Sequence, residues 1–135
     1  MHTDDFYIPQ FEGLDCEPGN WDEPAAFDMD KLCKACSLSD VACVEGIMAF
    51  CVLERLLDTG ILLPSHVRCI LVNTPPELCL ARRIARLEND SVKIIAERSY
   101  FNATVLPMHK AHCLQVVERL TEKYNIDVSV VSGMP

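Results

Sequence analysis

The first chemically loaded stretch of the chain is His2-Thr3-Asp4-Asp5-Phe6-Tyr7. Two adjacent carboxylates, two aromatic rings and then Pro9 suit neither a helix start nor the middle of a strand. They suit a strand exit, where the loops of open α/β sheets carry chemistry. A carboxylate there can act as a general base or hold a metal, and a neighbouring ring can stack on a flat ligand. The plain alternative is an acidic N-terminal tail. Two more acids, Asp22 and Glu45, fall at expected loop or strand ends, and Arg82, Arg83 and Arg86 crowd one expected helix. Acids for a hydroxyl and a metal, with arginines for phosphate charge, are the parts of phosphoryl transfer. Taken singly, the arginines also fit a solvated helix face, and Glu45 a strand-end acid paired with a cation.

Two other chemistries compete. Cys33 and Cys36 form a C-x2-C, and His109, His112 and Cys113 lie close together downstream. The two halves are widely spaced, there is no second cysteine pair, and both halves fall on expected helices, so packing is preferred and no zinc is expected. A nucleophilic Cys–His pair lacks an activating context, such as a helix N-terminus beside a cation.

The elements that must position these groups follow from punctuation and periodicity. Residues 8 to 24 read as a long loop, broken by Pro9, Gly13, Pro18, Gly19 and Pro24. A helix is expected from about Pro24 to Cys36. Val41 to Val44 reads as a buried parallel strand with Glu45 at its edge, and residues 47 to 59 as an apolar helix stopped by Gly60. Val67 to Val72 reads as a second buried strand. Thr74 and Glu77 then suggest a capping box for a helix to about Leu87. Helices from Val92 to Phe101 and from Pro107 to Tyr124, and a last strand from Ile126 to Val131, complete the order. Alternation of this kind predicts an α/β domain with a parallel sheet and flanking helices.

The 135 residues suit a single domain spanning 1-135. A net charge of −8 argues against a general binder of nucleic acid or membrane surfaces, since phosphate backbones call for clustered Lys and Arg. No apolar run approaches the length of a transmembrane helix, and no secretory pattern opens the sequence, so a cytoplasmic protein with reduced cysteines is expected.

Five stretches, in order, resemble the uridine–cytidine kinase family and the related nicotinamide riboside kinases. They are Asp4 to Tyr7, Asn20 to Asp28, Val44 to Phe50, Thr74 to Arg86, and Tyr100 to His109. The resemblance implies a P-loop NTPase-like parallel sheet and transfer of a phosphoryl group from ATP, with Mg2+, to a nucleoside 5′-hydroxyl. It assigns Asp4 as the base for that hydroxyl and Tyr7 as a neighbour of the nucleoside. Asp22 would bond the ribose hydroxyls, Glu45 would orient Mg2+ through water, Arg83 would reach towards the nucleoside, and Arg86 would neutralise the transferred group. Implied partners are a nucleoside, ATP if a phosphate loop completes the site, and a second copy or a full-length kinase.

Three departures set conditions on that resemblance. The family's phosphate loop ends in Gly-Lys-Ser/Thr, and none of the five glycines here precedes such a pair. The family's first strand and that loop would lie before Asp4, so the domain reads as truncated at its N-terminus and weak or inactive alone. The family's base-closing hairpin, expected between Leu32 and Val41, is shortened, and Leu87 to Ser91 is a short lid. Without the first strand, which is central in the family, two half-sheets with unpaired edges are expected.

Overall fold

The computed structural model describes residues 1–8, 21–40 and 42–134. Most of the expected loop, including Cys16, and position 41 lie outside the described residues. The helices are α1 (Met29–Ser37), α2 (Ala49–Asp58), α3 (Pro76–Ala85), α4 (Ser91–Tyr100), α5 (Leu106–His109) and α6 (Gln115–Tyr124). Two strands, β1 (Cys69–Asn73) and β2 (Val128–Ser132), pair in parallel, Cys69 facing Val128 and Asn73 facing Ser132. The chain is thus mixed helix and strand around a small parallel sheet, an arrangement compatible with an α/β class. Among the described residues no helix is long and apolar enough to cross a membrane.

Packing centres on α2. Val52 and Leu56 meet Leu32, Cys33 and Cys36 of α1. Leu57 meets Cys69, Val116, Leu120 and Ile126, so α2 also covers one side of the sheet together with α6. Just before α2, Met48 packs against Ala26 and Phe27. Above the α2–α6 seam, Arg119 grips Glu54 through two bonds of 2.8 Å and Lys123 reaches Asp58 at 2.8 Å. The equal offset of the two pairs means that α2 and α6 run in parallel, as helices beside parallel strands do.

Several boundaries differ from the sequence expectation. The helix expected from Pro24 is interrupted. Pro24–Ala26 form one 3-10 turn, Phe27 is extended and bridges Tyr7 antiparallel, and Asp28 caps α1 by accepting the Lys31 N–H at 3.0 Å. Thr74 forms no capping box, because Pro75 is the N-cap residue of α3 and Glu77 therefore falls one position early. Residues 91–124 form one nearly continuous helix. Its π-helical turns at Phe101–Val105 and Lys110–Leu114 flank Pro107, whose missing N–H breaks the ordinary bond ladder.

The expected buried strands are also corrected. Residues 42–44 adopt no regular strand; near Glu45 the chain makes a single parallel bridge to His2. The Glu45 N–H donates to the Met1 carbonyl at 3.0 Å, and the Thr3 N–H to the Glu45 carbonyl at 2.8 Å. In the sheet only Cys69 is buried, while Ile70, Val72 and Val130 are about 60% exposed. Two strands covered by helices on one side leave alternate residues facing out. Among the described residues two separate parallel pairings stand, the β1–β2 pair and the single His2–Glu45 bridge, where the alternation of elements suggested one sheet and the missing first strand two half-sheets.

Gly46 makes the turn from the first pairing into α2. Its φ of +123° is a conformation that residues with a side chain rarely adopt, and a Cβ there would lie 1.9 Å from Thr3 Oγ1. Gly46→Ala is expected to lower unfolding free energy by about 2 kcal/mol or more in urea titrations. Thr3 is fully buried, and its hydroxyl has no partner among the described residues. Replacing an unpaired buried hydroxyl by a methyl removes a desolvation penalty, so Thr3→Val should leave stability unchanged or raise it by ~1 kcal/mol.

Candidate functional site

The site is built on the α3–α4 hairpin. Pro75 and Pro76 start α3, because a missing N–H costs nothing in a first helical turn. Glu88 and Asn89 have positive φ and reverse the chain within the short lid segment. Asp90 then caps α4, its Oδ1 accepting the Val92 and Lys93 N–H groups at 3.1 Å. This reversal lays Arg83 against Glu97 in a partly buried ion pair. The Arg83 guanidinium also stands 5.9 Å from the ring centres of Tyr100 and Phe101, within cation–π range.

The second wall comes from residues 21–27. Tyr7 stacks on Phe27 with ring centres 4.2 Å apart, meets Trp21 edge-on, and donates its hydroxyl to the Trp21 carbonyl at 3.1 Å. Asp22 accepts the Tyr100 hydroxyl at 2.5 Å, joining this wall to the end of α4. Between the walls lies a cavity of about 370 Å³, in the size range of small-molecule sites. Asp22, Arg82, Arg83 and Arg86 line it over an apolar floor that includes Met48 and Phe101. Asp22 is the one carboxylate among the lining residues, so a cationic recess sits in a chain of net charge −8.

The rim is fixed by the end of β2. The Gly133 N–H donates to the Asn73 carbonyl at 2.8 Å, and Arg82 donates to the Gly133 carbonyl at 3.0 Å. A Cβ on Gly133 would meet Thr74 Oγ1 at 1.7 Å, so this close approach requires glycine.

The six candidate residues divide into two groups. Asp22, Arg83 and Arg86 share the cavity, while Tyr7 does not line it but packs on the cluster of Phe27 and Met48, of which Met48 does. Asp4 and Glu45 are exposed and do not line it. Asp4 lies in a 3-10 turn capped by His2, and Glu45 on the segment bridged to His2. Asp4 remains close enough for its charge to act on Tyr7. Cys33 and Cys36 are committed to the α1–α2 core, apart from the histidines at the cavity. Among the described residues no group of three or more His, Cys, Asp or Glu is arranged to hold a metal ion.

Sequence reasoning gave no role to Glu97 or Tyr100. The pairing of Glu97 with Arg83 depends on a reversal at Glu88 and Asn89; Asn tolerates positive φ, but the type of Glu88 does not announce it. The phenol of Tyr7 is pushed up to about 12, first by burial and then by the charges of Asp4 and Asp22, with Arg83 opposing. Tyr100 is also raised, by burial first and then by its bond to Asp22. Burial lowers the His109 imidazole. No protein-family model, curated protein or solved structure matches the chain.

These phenols predict an alkaline limit to stability. In the unfolded chain a tyrosine ionises near ~10, whereas Tyr7 keeps its proton to about 12 when folded. The folded state then binds more protons, so stability present below pH ~10 is lost as pH rises. Urea midpoints should fall through that window in the wild type and fall less steeply in Tyr7→Phe. Equal slopes would contradict the buried phenol.

Proposed function

We propose that the chain is a nucleoside kinase-like protein of the uridine–cytidine or nicotinamide riboside type, and that its cavity binds the nucleoside. The observation that supports this reading is the meeting of Asp22, Arg83 and Arg86 in one recess with a mostly apolar lining that includes Phe101. A carboxylate accepts hydrogen bonds from vicinal ribose hydroxyls, and the apolar floor accommodates a flat base. Arg83, held by Glu97, provides a fixed donor on the nucleoside side. Arg86, at the end of α3, brings positive charge to where a phosphoryl group would be neutralised. Asp4 would accept the proton of the 5′-hydroxyl.

ATP with Mg2+ would supply the phosphoryl group. The described residues do not fit those groups by themselves: the sequence holds no phosphate-cradling Gly-Lys-Ser/Thr loop, and Glu45 stands exposed with no set of acids around it. The proposal is therefore binding with weak or no autonomous transfer, and no step is drawn through either group.

A second reading is a non-catalytic nucleoside-binding or regulatory partner of a full-length kinase. It is favoured by the position of Asp4 and Glu45 outside the cavity that gathers the substrate-side groups.

Calorimetry with uridine, cytidine and nicotinamide riboside tests the binding site. One of them should bind, and Asp22→Asn should weaken it roughly tenfold or more, as loss of a charge-assisted hydrogen bond does. If none of them binds, the nucleoside reading fails. A coupled assay should find no ATP-dependent phosphorylation approaching the ~1–100 s⁻¹ of ordinary kinases; turnover in that range would overturn the expected inactivity.

A further inference from the structure

We propose that Tyr100 is a positioning residue, its hydroxyl tying the Asp22 carboxylate to the last turn of α4 so that the acid faces a ligand's vicinal hydroxyls beside Arg83. The inference deepens the nucleoside-binding reading and rests on it for the ligand, but not for the contact itself.

Asp22 lies on a short turn between Trp21 and the 3-10 turn at Pro24, outside any helix or strand. A carboxylate on such a segment has no regular backbone to fix its rotamer. The Tyr100 hydroxyl supplies a fixed point. It reaches Asp22 Oδ2 from 78 residues away at 2.5 Å, at the short end of the range for hydroxyl-to-carboxylate bonds. A carboxylate offers roughly four acceptor sites on its two oxygens. The bond from Tyr100 orients one of those oxygens, on a residue that lines the cavity.

The same side chain touches the cationic side of the site. The Tyr100 ring lies under the Arg83 guanidinium, and Glu97, three residues earlier on α4, holds Arg83 from the other side. The last turn of α4 therefore carries groups that hold both the acceptor and the donor of the cavity. Displacing Asp22 frees the phenol that supports Arg83, so the two ligand-facing groups move together. The rise in the Tyr100 phenol, driven by burial and by Asp22, is the titration signature of this contact.

The test uses the full chain labelled with fluorotyrosine, whose more acidic phenol titrates while the chain is folded. Fluorine NMR resolves the three tyrosines, and Tyr100→Phe assigns its signal. Asp22→Asn keeps the side-chain shape, and folding of each variant is checked by its urea midpoint. It should move the Tyr100 titration down by about one unit; an unmoved titration overturns the inference. Binding of uridine and 2′,3′-dideoxyuridine is then compared by calorimetry. Tyr100→Phe should weaken uridine about tenfold and leave the dideoxy compound unchanged, so that discrimination between them shrinks. Unchanged discrimination, or tighter uridine binding, overturns the positioning role. Tyr124→Phe is the control, because Tyr124 also bonds a carboxylate, Asp58, but on the surface away from the cavity. If the wild type binds neither compound while Asp22→Asn still moves the Tyr100 signal, the nucleoside reading falls and the positioning of Asp22 stands.

Discussion

The structure depends on α2 being apolar on more than one side. A surface helix usually buries a single stripe and leaves the rest to solvent. In α2 and its entry, Val52 and Leu56 face α1, Leu57 faces β1 and α6, and Met48 faces Phe27. Each buried side chain of this size contributes roughly 1.5–3 kcal/mol, and the three sets join three otherwise separate parts of the chain. Charge is confined to what remains: Glu54 and Asp58 point along α6 and pair there, and Arg55 reaches Asp30.

That arrangement also places the cavity. Gly46 turns the chain towards α2 and sets Ile47 and Met48, just before that helix, against the cavity, while β1 ends at Asn73 and delivers Thr74 and α3 to it. Both pairings end beside the same recess, as the C-terminal ends of parallel strands do in α/β proteins. The helical hairpin α3–α4 then closes over it, with Arg83 held by Glu97 and Asp22 by Tyr100. The groups facing the cavity are thus fixed from helices packed on the core rather than from the strands.

Much of this was legible in the residues. Gly60 ends the α2 segment, Pro75 and Pro76 open α3, and the apolar runs near Cys69 and Val128 become the paired strands. Asp22, Arg83 and Arg86 could be singled out as one set through the family resemblance; by residue type alone the arginines fit a solvated helix face as well. What was not legible depended on contacts far apart in sequence. Phe27 looks like a helix residue, but its bridge to Tyr7 makes it extended. Thr74 and Glu77 have the right types for a capping box, yet two prolines shift the helix start past Thr74. The buried reading of the strands failed because a β-branched run specifies pairing and not cover; Ile70 and Val72 have partners along the sheet but no helix over their outer face.

The two halves of the proposed chemistry differ in what supports them. The ligand-holding side is supported by closed packing. Phe27 lies buried with Met48, Phe101 is buried at the hairpin, and Asp22 and Arg83 each have a defined neighbour. The transfer side, with Asp4 and Glu45, is carried by one parallel bridge between His2 and Glu45 and by a Thr3 hydroxyl left without a partner among the described residues. Phosphoryl transfer requires its base and its charge-neutralising groups to be held in line to within a fraction of an ångström. Binding tolerates more, because an apolar surface, a carboxylate and a guanidinium each act over a range of orientations. On the proposed reading, the groups held by α3 and α4 serve binding, and Asp4 and Glu45, which stand exposed outside the cavity, would serve transfer.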